Sequence, residues 1–319
     1  MDENVTPIKK IIADKRKLLK LSIPPSPMMT KLGFGTGVIV YKMERSPVKH
    51  TAQSPWALKK VTKKDNPELN CRLKKEAALL RRLSHPNIVG YRGFVDTSSG
   101  YNYLAMEECS TSLGDLIEIR RDDDMGPFCS SNIWKVATDI SNALNYLHND
   151  VQILHADLKS YNVLVKGDFE ICKLCDFGVS LELLPDGSLD DSKLEKDFEF
   201  PGTLSWSAPE VLGLDQIVTS KVDIYAFGLI LWEAMSLEVP VLDESNDVSS
   251  FGELDSSQES SILDTSYIVR QRPNLPDYEF GKDYNVIIEM FYFCTEVDFQ
   301  KRPNATQLCA IIKDSERGN

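Results

Sequence analysis

The stretch ILHADLKSYNVLV, residues 153–165, places His155, Asp157, Lys159 and Asn162 at fixed offsets between two apolar runs. Asp157 can take the proton of an incoming hydroxyl, Lys159 can offset negative charge beside it, and Asn162 can offer a carbonyl oxygen to a hard cation. Fourteen residues after Asn162, CDFG (175–178) adds Asp176 as a metal carboxylate, Phe177 as a packing residue and Gly178 for backbone freedom. A carboxylate with an amide partner suits magnesium, which keeps waters and phosphate oxygens in its other positions. Turn formation would explain any one of Asp157, Asn162 and Asp176. It does not explain all three at these offsets together with what lies upstream.

Upstream, LGFGTGVIVY (32–41) sets Gly33, Gly35 and Gly37 between strand-like runs, where missing side chains let backbone amides approach phosphate oxygens. A strand follows these glycines, whereas a dinucleotide fingerprint needs a helix there. In WALKK (56–60), Lys59 ends an apolar strand and can direct a cation at the α- and β-phosphates; Glu76, in the helical segment ELNCRLKKEAALLRRL (68–83), can hold that ammonium.

Composition bounds the rest. The 319 residues, 42% hydrophobic and 26% charged, fit an ordinary globular protein with a large core. No run approaches the roughly 20 apolar residues of a membrane helix, and MDENVTPIKK lacks the order of a secretory signal, so cytoplasm or nucleus is expected and no membrane partner. Seven scattered cysteines fit reduced thiols, and Cys172 and Cys175 in ICKLCDF read as a buried strand in place of a metal or redox pair. A net charge of -12 argues against nucleic-acid binding and favours basic partners.

From Met29 to Met106 the pattern gives short strands with one helix, and after Glu108 long helical periods, as in NIWKVATDISNALNYLH with its stripe Ile133, Val136, Ile140, Leu144 and Leu147. KVDIYAFGLILWE (221–233) reads as a buried helix. The expected division is a basic arm (1–28) carrying KKIIADKRKLLK, a small lobe (29–108), a large lobe (109–314) and a short tail (315–319). Within the large lobe, 176–210 forms one functional segment and 243–261 an acidic, serine-rich exposed insertion.

With these residues in place, about 30–312 resembles the eukaryotic protein kinases, with the motif series in order. That resemblance implies an α+β bilobal fold, with an antiparallel β lobe bearing one helix and a mainly α lobe. It implies ATP and Mg²⁺ as cofactors and protein substrates. It further places Leu32, Val40 and Ala57 around the nucleotide, Met106 at the back pocket, and Glu107 to Cys109 as an adenine-facing hinge. Glu210 of GTLSWSAPE and Arg302 of QKRPNA are implied to form a buried bidentate pair beneath the substrate platform, with Thr203 bracing the catalytic loop. The DLKxxN form is similar to serine/threonine kinases. KLGFGTGVIVYKMERSP, KGDFEICKLCDFGVSL and IYAFGLILWEAMSL resemble the PDZ-binding, or T-LAK cell-originated, kinase family near the MAP kinase kinases, with MAP kinases as candidate substrates. The family's PDZ recognition needs a final apolar residue, and the sequence given ends in ERGN, so no PDZ partner is expected.

Two departures stand out. Val38 occupies the place of the third glycine, with Gly37 one position early, and Ala156 stands where such kinases have an arginine that binds activation-segment phosphate. Both favour an alternative, a weakly catalytic pseudokinase scaffold; the retained chemical residues favour an enzyme. The expectation is activity without phosphate-to-arginine ordering, with Glu182, Asp186, Asp190, Asp191, Glu195, Asp197 and Glu199 as candidate fixed charges. Thr6-Pro, foremost of four Ser/Thr-Pro pairs with Ser26, Ser46 and Ser54, is a candidate regulatory site for a proline-directed cell-cycle kinase.

Overall fold

A computed structural model describes residues 29–35, 37–48, 51–62, 66–96, 102–109, 111–194, 198–212, 216–240 and 272–318. Thr6, Ser26, Glu195, Asp197 and the stretch 243–261 lie outside the described residues. The chain divides into two compact units, Met1–Ala77 with Tyr91–Glu108, and Ala78–Gly90 with Cys109–Asn319.

The first unit is built on an antiparallel sheet of β1 (Met29–Gly35), β2 (Val38–Val48), β3 (Thr51–Val61), β4 (Tyr91–Asp96) and β5 (Asn102–Glu107), in the order β1-β2-β3-β5-β4. Alternation along these strands gives the sheet two distinct faces. On one, Met43, Trp56, Leu58 and Ala105 form a buried cluster with Met29 and Tyr41 against it. The other carries Val40 opposite Lys59 and Ala57 opposite Met106. Helix α1 (Pro67–Arg82) begins with proline in its first turn, where no N–H is needed, and Asn66 Oδ1 accepts the Leu69 N–H at 3.0 Å.

The second unit is mainly helical. Ser112 and Asp115 form a reciprocal capping box on α2 (Leu113–Asp122). In α3 (Ser130–Asn145) and the π turn that follows it, Ile133, Val136, Ile140, Leu144 and Leu147 are all buried. Helix α4 (Lys221–Ser236) is buried at every residue from Val222 to Met235, and α5 (Asn285–Cys294) and α6 (Ala305–Gly318) follow it among the described residues. Two small sheets accompany them: β6 (Thr111–Ser112), β8 (Val163–Lys166) and β9 (Ile171–Leu174) in one, β7 (Ile153–Leu154) with β10 (Leu181–Glu182) in the other. Cys172 is buried in β9, and burial pushes its thiol up to about 12, so it is an inert core thiol. The catalytic stretch therefore joins β7 to β8 and is held at both ends by strand pairing.

At Gly228, α4 packs closely against the end of α5. A Cβ there would lie 2.7 Å from Cys294 Cβ and 2.8 Å from Thr295 Cγ2. Gly228→Ala is expected to destabilise the protein by about 1–3 kcal/mol through overpacking, read from denaturant midpoints.

Candidate active site

In the first unit, Lys59, two residues before the end of β3, has its ammonium in contact with both oxygens of Glu76, at 2.9 and 3.2 Å. Lys59 is 6% and Glu76 1% exposed, so each charge needs the other. Val40 shares the sheet face of Lys59 because the two pair across the ladder, and so do Ala57, two residues back on the same strand, and its partner Met106. Leu32 sits at the register shift between Lys31 and Gly33 and is exposed, whereas Glu107 stands opposite Trp56 on the other face. Gly33 and Gly35 pair with Val40 and Val38. Gly37 has φ +77, and a Cβ there would lie 2.3 Å from Leu69 Cδ1; its carbonyl accepts the Thr62 N–H and hydroxyl at 2.9 and 3.0 Å. The early glycine is thus the one this turn requires.

In the second unit the acid-base group is tightly aligned. Asp157 Oδ1 accepts from the Thr203 N–H at 3.1 Å and its hydroxyl at 2.6 Å. Lys159 Nζ donates to Asp157 Oδ2 at 2.9 Å and to Thr203 Oγ1 at 2.7 Å. Both Asp157 and Lys159 keep some exposure, as groups that meet a partner must. Asn162 donates its amide N–H to the Asp157 carbonyl at 2.7 Å, which leaves its own carbonyl oxygen as the ligating atom. The Cys175 N–H donates to Asn162 O at 3.0 Å and so brings Asp176 alongside the loop. Asp176 has φ +62, and its carboxylate receives the Gly178 N–H at 3.4 Å. One carboxylate and one amide oxygen suit a hard divalent ion that completes its shell with phosphate and water. Among the described residues no cluster of three or more His, Cys, Asp or Glu could hold a metal alone.

His155, fully buried, works as a spacer. Its Nδ1 accepts the Asp157 N–H at 3.3 Å and its Nε2 lies 2.9 Å from Cys175 O, which assigns the proton to Nε2. Its ring lies 5.0 Å from that of Phe177. Ala156 follows at φ +67, a left-handed conformation costly for an L residue. Asp223, at the start of α4, offsets that cost: its carboxylate accepts the N–H groups of His155 at 2.8 Å and Ala156 at 3.0 Å, and meets His148 Nε2 at 2.8 Å. Burial opposes ionisation of Asp223, and the hydrogen bonds from the His148 side chain and the His155 N–H outweigh it, so its carboxyl stays below the usual range. The resemblance implies a platform pair, and Arg302 Nη1 and Nη2 lie on the two oxygens of Glu210 at 2.6 and 2.8 Å, with Arg302 1% exposed. Cys109, buried, begins the second unit.

Sequence reasoning gave Asp223 no role and overlooked Glu233, which accepts from Ser160 Oγ at 2.9 Å and Trp206 Nε1 at 2.6 Å. The available signal was two acids in the otherwise apolar helix, since a buried charge requires partners. Burial pushes the Glu233 carboxyl up to about 8, against the opposing hydrogen bonds from Trp206 and Ser160. A folded-state value above the unfolded one means that the native state binds this proton more tightly between about pH 4.5 and 8. Its contribution to stability is therefore complete below that window and lost as pH rises through it. Glu233→Gln is expected to flatten this part of the stability-pH curve, measured as denaturant midpoints against wild type. Arg302→Met, which strands Glu210, should cost about 3–5 kcal/mol in the same measurement.

Comparison with known proteins agrees with this geometry. The protein kinase domain matches residues 27–311. The chain is 41% identical over 302 residues to a human lymphokine-activated killer T-cell-originated protein kinase, covering 92% of this chain and 91% of that protein. It is 36% identical over 173 residues to rat mitogen-activated protein kinase kinase kinase 12, and 31% identical over 182 residues to the corresponding zak-1 kinase of Caenorhabditis elegans. Each of these two matches covers 54% of this chain, but only 18% and 23% of the respective relative. Protein kinases use ATP and a divalent metal on protein substrates, and the chain belongs to that family, on the branch of the T-LAK cell-originated protein kinase.

Proposed function

We propose that the chain transfers the γ-phosphate of ATP, with Mg²⁺, to serine or threonine hydroxyls of protein substrates in a MAP kinase kinase-like signalling role linked to mitosis, in cytoplasm or nucleus. The observation that carries this reading is the closed triangle of Asp157, Lys159 and Thr203. With both its oxygens hydrogen-bonded, Asp157 has a fixed orientation in which it can align a substrate hydroxyl and take its proton. Lys159 lies within reach of the same hydroxyl and offsets negative charge there. Asn162 and Asp176 would hold the metal, and Lys59, kept in place by Glu76, would hold nucleotide phosphates. The bound nucleotide and metal supply the phosphoryl group and neutralise its charge. The pairing of Glu210 with Arg302 keeps the platform 202–210 rigid beneath the peptide.

Regulation of this site follows from Ala156. With no guanidinium at position 156, residues 181–190 are ordered by backbone pairing. Leu181 and Glu182 pair with Leu154 and Ile153, Leu183 N–H donates to Gln152 O at 2.9 Å, and Leu183 bridges to Leu189 around the turn LPDGS. The tip docks on the residues before α4, with Ser188 bridged to Thr219 and the Ser220 N–H on Gly187 O at 2.8 Å. Gly187 has φ +85, which the turn demands. Ser188 and Ser192 donate their hydroxyls to Asp186 and Asp190, each at 2.6 Å, so these two acids stabilise local turns. Thr6 remains the proposed target of a proline-directed kinase, and MAP kinases the proposed substrates.

Asp157→Asn should lower transfer from [γ-³²P]ATP to a protein substrate by about 10²–10⁴-fold with the fold intact by circular dichroism. Mass spectrometry should place the label on serine or threonine, and wild-type levels of transfer by this variant would sink the proposal. The double variant Ser188→Ala/Ser192→Ala should retain wild-type activity after phosphatase treatment; its inactivation would show that phosphate orders the segment.

A further inference from the structure

The stretch FPGT, residues 200–203, is built for a close approach. Pro201 disfavours a helical residue before it and has no N–H of its own to place, so Phe200 is directed to an extended conformation. The Phe200 N–H is fixed from outside, donating to Gln216 Oε1 at 3.0 Å. Its half-buried ring lies against Gly202, two residues on. A Cβ at Gly202 would stand 2.4 Å from Phe200 Cε1 and 2.9 Å from the Ala156 carbonyl oxygen. Only glycine lets the ring and the catalytic stretch both come this near to the chain. The next residue is Thr203, whose N–H and hydroxyl rest on Asp157 Oδ1.

Ala156 and Phe200 line the same small cavity, whose walls also include Leu158 and Trp206. None of the lining residues is basic, and the two acids among them, Asp157 and Asp223, already accept N–H donors. Contact across this junction is therefore made by packing and not by charge, and packing is insensitive to whether a phosphate is present. We propose that Phe200 is a positioning residue that stands in for the absent phosphate-to-arginine contact: its ring clasps Gly202 against residue 156 and so seats Thr203 on Asp157. This rests on the protein-kinase reading above and deepens it, by naming what orders the platform end of the segment when position 156 carries no guanidinium.

The test uses the full chain, with residues 176–210 shown by mass spectrometry to carry no phosphate. Phe200→Ala should lower kcat for a protein substrate about tenfold or more, in the range that small misplacements of reacting groups cause, with KM for ATP and the melting temperature close to wild type. Phe200→Tyr, which keeps the ring, should retain most of the wild-type kcat. Hydrogen exchange gives a readout that needs no turnover. Phe200→Ala should speed exchange of the Thr203 amide, which Asp157 accepts, and leave unchanged that of the Ser220 amide, which is bonded to Gly187. Wild-type kcat in Phe200→Ala, unaltered exchange at Thr203, or a wild-type chain that turns over only once the segment is phosphorylated would each overturn the proposal. If Phe200→Ala does not fold, Gly202→Ala takes its place, because a methyl group there must displace the ring. The same faster exchange at Thr203 is expected, and its absence overturns the proposal. An inactive wild type in which either variant still speeds Thr203 exchange would count against the kinase reading alone.

Discussion

The catalytic stretch of the second unit depends on hydrogen bonds that Asp223 accepts from its backbone. A carboxylate with no solvent to satisfy it takes the N–H groups of His155 and Ala156 and the imidazole of His148. Both oxygens are thereby engaged, and an unfavourable left-handed residue is held in place. The turn at 156 then directs Asp157 toward Thr203 and Lys159, and His155 toward Cys175 and Phe177. Two segments distant in sequence, 155–162 and 175–178, are aligned by one helix terminus.

Helix α4 carries this further, because its other acid, Glu233, meets the far end of the same stretch at Ser160. A helix buried on all sides is the stiffest available ruler in the unit, and polar groups at its two ends convert that stiffness into fixed positions for loop residues. The first unit uses a different device. Its sheet segregates a packed apolar face from the face bearing Lys59, Ala57, Val40 and Met106, and Glu76 from α1 pairs with the lysine there.

Much of this was legible in the sequence. Period-two and period-3.6 patterns located the strands and helices, since burial on one face leaves a direct imprint on residue order. Asp157, Lys159, Asn162 and Asp176 were readable because their chemistry demands particular side chains at short range. Asp223 and Glu233 were not assigned roles, because their partners are backbone amides or residues some 30 to 75 positions away, and no local pattern encodes such pairings. The hairpin of 181–190 was also missed in favour of its charges. Its turn LPDGS was visible, but the docking of Gly187 on Ser220 depends on tertiary placement.

At position 156 the structure uses the amide and carbonyl of the residue. The N–H goes to Asp223 and the carbonyl faces Gly202 at a distance that excludes a side chain there, while the methyl group has no chemical task. Catalytic alignment and the side chain at 156 are therefore separable properties of one residue. A lineage can gain or discard a phosphate receptor at this point while the machinery beside it stays as it was, which makes control of the enzyme far easier to evolve than its chemistry.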